Sequence, residues 1–139
     1  CRYDCKLEKY NKLMNIEATT MVREARRTYR PVITAYATKV AKGLEAIRAA
    51  GADAAMQCEQ NTLNKLCYGI TEINDSIKAL DAVHQKAEAI DDPQEEANCY
   101  AHEVVPAMAT LRTAVDAMEE LVAADYWPVP TYDDILFYV

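Results

Sequence analysis

Phenylalanine and tryptophan occur once each, and glycine three times, in a chain of 139 residues. Sheets draw on aromatic and β-branched clusters, and this chain has none. Sandwiches, barrels and Rossmann sheets are therefore disfavoured. Three glycines cannot build a phosphate-cradling loop, and neither a Walker A pattern nor a G-x-G-x-x-G pattern is present. The G-x-S-x-G elbow of serine hydrolases is also missing. No apolar run approaches the ~20 residues of a membrane span. The opening shows no signal-peptide pattern. Basic excess is lacking too: 22 acidic residues outweigh 15 basic ones, for a net charge of −7. That balance argues against a nucleic-acid partner, which favours a basic patch. The one basic cluster is Arg23, Arg26, Arg27 and Arg30, of which Arg23, Arg27 and Arg30 share a helix face. It reads as a solvated face or a protein interface.

The five cysteines, Cys1, Cys5, Cys58, Cys67 and Cys99, form no C-x-x-C pair. Their odd, unpatterned number predicts a reduced, cytoplasmic protein. Cys58, Cys67 and Cys99 fall in helical patterns, where a thiol packs as a small hydrophobe. Cys1 and Cys5 have the spacing of helix neighbours, without further signs of a disulfide or a metal.

What the chain does have is alanine, the best helix former, within a composition that is 51% hydrophobic and 27% charged. This length can bury a core without staples. Residues 1–139 are thus expected to form one all-α domain. The chain does not begin with Met and opens inside a helical pattern, which predicts a fragment or a processed product.

The first stripe, Val22, Ala25, Tyr29, Ile33, Tyr36, Val40, Leu44 and Ile47, advances in threes and fours. Pro31 lies within it and predicts a kink or a short break. Asn11 to Asn15 offers a looser joint. Gly51 suits the left-handed position after the helix end, and Asp53 suits the next N-cap. The second stripe, Leu63, Leu66, Ile70, Ile73, Ile77 and Leu80, forms a coiled-coil-like seam that Val83, Ala87 and Ile90 prolong. A helix from Asp53 to Ile90 would span ~57 Å, which implies an elongated bundle. Asp92, Pro93 and Glu95 form a capping box. The third stripe is Val104, Met108, Leu111, Val115, Met118 and Val122, with Pro106 inside it. The first and third stripes match at a constant offset, pairing Ile33 with Met108 and Val40 with Val115. A duplicated hairpin would explain this, but two proline-containing heptad seams explain it as well and are preferred. The expected fold is an elongated antiparallel bundle of three long helices, 5–50, 53–90 and 93–124, kinked near Pro31 and Pro106. A short helical tail follows. Residues 126–139, stiffened by Pro128 and Pro130, should pack on the bundle or on a neighbour. Trp127 is expected to be buried between the tail and the end of the first or third helix, with Tyr132, Leu136 and Phe137 as the other packing or interface residues.

Little in the residues suggests catalysis. His84 and Glu88, and Cys99 and His102, have the spacing of helix neighbours. A helix-bundle carboxylate metal site needs Glu-x-x-His motifs, and positions 81 and 99 hold Asp and Cys instead. The histidines read as solvated or interface residues. The acid pairs Asp91/Asp92, Glu95/Glu96, Glu119/Glu120 and Asp133/Asp134 point ~100° apart on a helix, and most favour a helix start. No catalytic, cofactor or metal residue is assigned.

Three segments carry a resemblance. They are Asn15-Ile16-Glu17-Ala18-Thr19-Thr20-Met21 leading to Tyr29-Arg30-Pro31-Val32, then Val104-Val105-Pro106-Ala107-Met108, then Trp127-Pro128-Val129-Pro130-Thr131-Tyr132-Asp133-Asp134-Ile135-Leu136-Phe137. Together they resemble the C-terminal region of type III glutamine synthetases, the long bacterial form, over about Glu8 to Val139. The Cys-containing opening does not match. The resemblance implies a parent that ligates ammonia to glutamate with ATP and Mg or Mn, assembled as a homo-oligomer of stacked rings. Its catalytic motifs lie upstream and match no position here. This segment would then be a helical appendage without a cofactor of its own, contacting the parent's catalytic domain and neighbouring subunits. The alternative is a free-standing helical interaction module.

Overall fold

A computed structural model describes residues 2–130 and 135–136 of the chain. These residues form helices and turns, without a strand among them. The chain builds three antiparallel rods. The first comprises helix α1 (Arg2–Glu24), a five-residue π-turn (Ala25–Tyr29) and helix α2 (Arg30–Ala49). The second is helix α3 (Asp53–Glu88). The third comprises helix α4 (Pro93–Cys99), a second π-turn (Tyr100–Val104) and helix α5 (Val105–Glu119).

Neither proline breaks its rod. A proline has no N–H, and its ring crowds the carbonyl four residues back. In each rod the turn before the proline widens to absorb this. Arg30 N–H donates to the Ala25 carbonyl and Val105 N–H to the Tyr100 carbonyl, five residues back in each case. The backbone stays helical at the flanking residues, and Pro31 and Pro106 face solvent. The two π-turns therefore stand at the same 75-residue offset as the matched stripes. The looser joint expected at Asn11–Asn15 does not exist: α1 is continuous there, and Asn11 is buried.

The hairpin turns follow from capping chemistry. Gly51 has φ +70°, the left-handed region. Its N–H donates to the Arg48 carbonyl, and the Ala52 N–H donates to the Ile47 carbonyl, closing a Schellman turn. Ala52, not Asp53, occupies the capping position of α3, so Asp53 is the first helical residue. At the other turn the Asp92 carboxylate accepts from Glu95 N–H at 2.9 Å, with Pro93 next to it.

The core runs along all three rods. Leu66, Ile73, Ile77, Leu80 and Ala87 of α3 are buried, between Ile33 and Val40 of the first rod and Leu111 and Val115 of the third. Each fully buried Leu or Ile contributes ~1.5–3 kcal/mol. The α3 stripe differs from the expected seam. Leu63, Ile70, Val83 and Ile90 are only half-buried, while Gly69 and His84 occupy the core face. Gly69 is there because Met118 rests its thioether where a Cβ would stand. Cys58 and Cys67 are exposed, as is Cys5 of α1, so of the four described cysteines only Cys99 packs inside.

The third rod stops at Glu119, five residues short of the expected 124. The chain then turns through a 3-10 segment, Ala124–Tyr126. This lays Tyr126 on Tyr36 (ring centroids 5.4 Å apart) and Trp127 on Tyr29 (5.4 Å). Lys39 Nζ sits 5.0 Å above the Tyr126 ring. Docking of two aromatic rings on the first rod outweighs one more helical turn.

The π-turn is in effect a one-residue insertion that both flanking stripes tolerate. Deleting Arg27 together with Pro31→Ala should restore an α-helix and keep stability within ~1 kcal/mol of the parent. Deleting the exposed Thr38 should instead rotate Val40 and Leu44 by ~100° off the core and cost ~3 kcal/mol or more. Urea unfolding would compare them, and equal losses would contradict the register described here.

Candidate functional site

Two contacts bridge the space between the first and third rods. At one end Asn11 Nδ2 donates to the Pro93 carbonyl (3.0 Å) and to Glu96 Oε2 (2.7 Å). At the other, Tyr29 holds Trp127. Between them lies an open groove of ≈ 720 Å³. Ile16, Thr20, Met21, Ala25 and Tyr29 form one wall, and Met108, Leu111 and Val115 the other. Val129, Pro130 and Ile135 border it from the tail side. The rim carries Glu17, Glu24, Asp116 and Glu119 against one guanidinium, Arg112, which pairs with Asp116 at 3.5 Å.

The groove is electrically negative as well as apolar. Burial pushes the Tyr29 phenol above its ordinary pKa, and Glu24, Glu119 and Asp116 push it further, with Arg112 opposing. The segments that carry the family resemblance meet here, since Ile16, Glu17, Thr20, Met21, Tyr29, Met108, Val129, Pro130 and Ile135 come from all three.

The expected tail residues fall differently. Trp127 is buried, with 8% exposure, against the middle of the first rod and not a helix end. Leu136 is 72% exposed and Ile135 65%, and both are helical. Tyr132 and Phe137 lie outside the described residues, as do Cys1, Asp133 and Asp134.

A second polar group sits inside the bundle near Tyr100. His84 is buried, not solvated as its polarity predicts. Its ring lies 6.3 Å from that of Tyr100, and its Nε2 lies 4.0 Å from Glu88 Oε1. Asn15 Nδ2 donates to the same Glu88 oxygen at 3.0 Å. Tyr100 is fully buried, and its hydroxyl approaches Asn15 without completing a well-formed hydrogen bond. Burial, then Glu96 and Glu88, push its pKa up to about 12. Such a polar layer pins the register of three helices whose apolar stripes would tolerate sliding.

Elsewhere the chemistry is quiet. Burial, then Glu103, push the Cys99 thiol up, with Lys86 opposing, so it stays protonated and unreactive at neutral pH. Lys86 instead pairs with Glu103 at 2.5 Å. His102 is exposed. Within the arginine cluster, Arg26 pairs with Asp81 and Arg30 donates to Asn74 at 3.4 Å. Among the described residues no three His, Cys, Asp or Glu side chains converge as a metal site. None of their helices is long and apolar enough to cross a membrane.

A helical domain with an apolar, acid-rimmed groove is the class these features define. Residues 1–48 match the family model of the glutamine synthetase C-terminal domain, so the match includes the Cys-containing opening that the resemblance left out. The chain is 28% identical over 136 residues to a protein named glutamine synthetase from Butyrivibrio fibrisolvens, a match covering 98% of this chain and 19% of that protein. The chain thus spans about a fifth of the length of that relative. Both findings support a glutamine synthetase C-terminal domain.

Tyr100 makes stability sensitive to alkali. Its folded pKa is raised, so its contribution is complete below the ordinary value of ~10 and is lost as pH rises through about 12. Two units correspond to about 3 kcal/mol. Urea unfolding of Tyr100→Phe should show that much less loss between pH 10 and 12 than the parent. Identical slopes would contradict the buried, unionised phenol.

Proposed function

We propose that this chain is the C-terminal helical domain of a glutamine synthetase of the long bacterial, type III form, with a structural and assembly role and no catalysis of its own. The observation that carries the reading is the similarity over 98% of the chain to the Butyrivibrio fibrisolvens protein. The local match of residues 1–48 to the C-terminal domain family agrees with it. The type III form is inferred from the terminal stretch Trp127-Pro128-Val129-Pro130-Thr131-Tyr132. The parent would join ammonia to glutamate in the cytoplasm, using ATP and Mg or Mn bound by residues of its catalytic part. A non-catalytic role is consistent with a sequence without a phosphate loop and with the lack of a metal-holding cluster among the described residues. The stiff, elongated bundle would brace the catalytic part and its neighbours in a homo-oligomer.

Expression of the complete reading frame that contains this segment tests the proposal. The expected product carries a glutamine synthetase catalytic domain upstream and forms glutamine with ATP and Mg or Mn. Stopping the frame before Cys1 should reduce the assembly to smaller species in sedimentation. The segment alone should give a flat calorimetric titration with ATP and magnesium. An unrelated upstream domain, an unchanged assembly after truncation, or a saturable ATP isotherm would each overturn it.

A further inference from the structure

We propose that the groove between the first and third rods receives a basic amphipathic helix contributed from outside this chain. Three observations lead there, none of them dependent on the glutamine synthetase reading. First, the groove has the dimensions of a helix seat. From Ile16 to Tyr29 it follows the first rod for ~20 Å, close to four helical turns. Its two long walls are the sides of helical rods, which present side chains and no free backbone edge, so a strand would find no ladder to join along them.

Second, apolar surface continues past the groove. Leu13 and Ile16 are 46% and 62% exposed, and with Thr20 they form one stripe at steps of three and four. Leu136, 72% exposed, adds to the apolar surface beside Ile135. A small molecule would leave this extension uncovered. Met21 and Met108 within the groove are unbranched and adaptable, as suits a helix-binding surface.

Third, the charge selects the partner. Four carboxylates face one guanidinium, and that guanidinium already pairs with Asp116. Glu24 is held by Arg23 at 3.5 Å, whereas Glu17 and Glu119 have no ion-pair partner among the described residues. Tyr29, in the groove wall, has its pKa raised first by burial and then by Glu24, Glu119 and Asp116, which belong to the same rim. A second copy of this face would bring like charges together. The chain's own tail would bring Asp133 and Asp134. A helix with Lys or Arg flanking an apolar stripe satisfies both the walls and the rim.

The test uses the whole chain and two labelled synthetic peptides of about five helical turns. Both carry leucines at helical i, i+3, i+4, i+7 spacing, flanked by lysines in one and glutamates in the other. The lysine peptide should bind saturably in fluorescence anisotropy, more weakly at high salt. Glu17→Lys with Glu119→Lys should weaken it about tenfold or more, with the circular dichroism spectrum unchanged. The glutamate peptide should not bind. Failure of the lysine peptide to bind, equal binding of both peptides, or no effect of the charge reversal would overturn the proposal. So would a native dimer in sedimentation that Met108→Asp dissociates, which would assign the groove to a second copy. The salt and peptide comparisons decide the matter even if the double variant does not fold.

Discussion

A proline inside a long helix withholds one donor and crowds the carbonyl one turn back. Everything along the first and third rods depends on how that constraint is met. A break would have split each rod into two helices free to take separate directions. A π-turn spends one residue in widening the helix, and the rod continues. The bonds from Arg30 to Ala25 and from Val105 to Tyr100 are the points where this happens. On one side of them the stripe carries Ala18 and Val22, and on the other Ile33 and Val40, all facing the same core. The π-turns also hold Tyr29 and Tyr100. Tyr29 receives Trp127, and Tyr100 anchors the buried polar layer. One backbone adjustment thus sets the register of the core and positions the two aromatic residues on which the groove and the polar layer are built.

The division of labour along the bundle follows. At the α4 end, Asn11, Asn15, His84, Glu88 and Tyr100 place polar groups among three helices, which favours a single alignment over sliding. Toward Tyr29 the first and third rods border the groove, and Trp127 and Tyr126 close the gap against Tyr29 and Tyr36. The groove is what remains between a polar lock and an aromatic lock. Its negative rim belongs to a chain with a net charge of −7. The local arrangement still matters more than the total, because four of those carboxylates surround one apolar trough.

Much of the fold could be read from spacing. The all-α class, the Gly51 turn and the Asp92 cap follow from local chemistry that tertiary packing did not override. The prolines announced a disturbance but not its form. Ala25, Tyr29 and Ile33 take two successive steps of four, as do Tyr100, Val104 and Met108. Each step of four overshoots an α-helical face by ~40°, but Tyr36, Val40 and Leu44 make the same two steps within the regular helix α2, so spacing alone does not mark the wider turn. His84 was misjudged from polarity, although it occupies a seam position between Leu80 and Ala87. The end of the third rod was misplaced because aromatic docking onto Tyr29 and Tyr36 is a long-range term. The groove was illegible for the same reason: Ile16 and Met108 share a cavity across many intervening residues, and no periodicity reports that distance.

The hydrogen bonds of the two π-turns can be observed directly. Through-bond NMR couplings from amide nitrogen to carbonyl carbon identify each acceptor. Correlations from Arg30 to Ala25 and from Val105 to Tyr100 are the result predicted. Correlations from Arg30 to Arg26 and from Val105 to Ala101, or none at either site, would mean ordinary α-turns or broken rods, and would contradict the register on which the core and the groove depend.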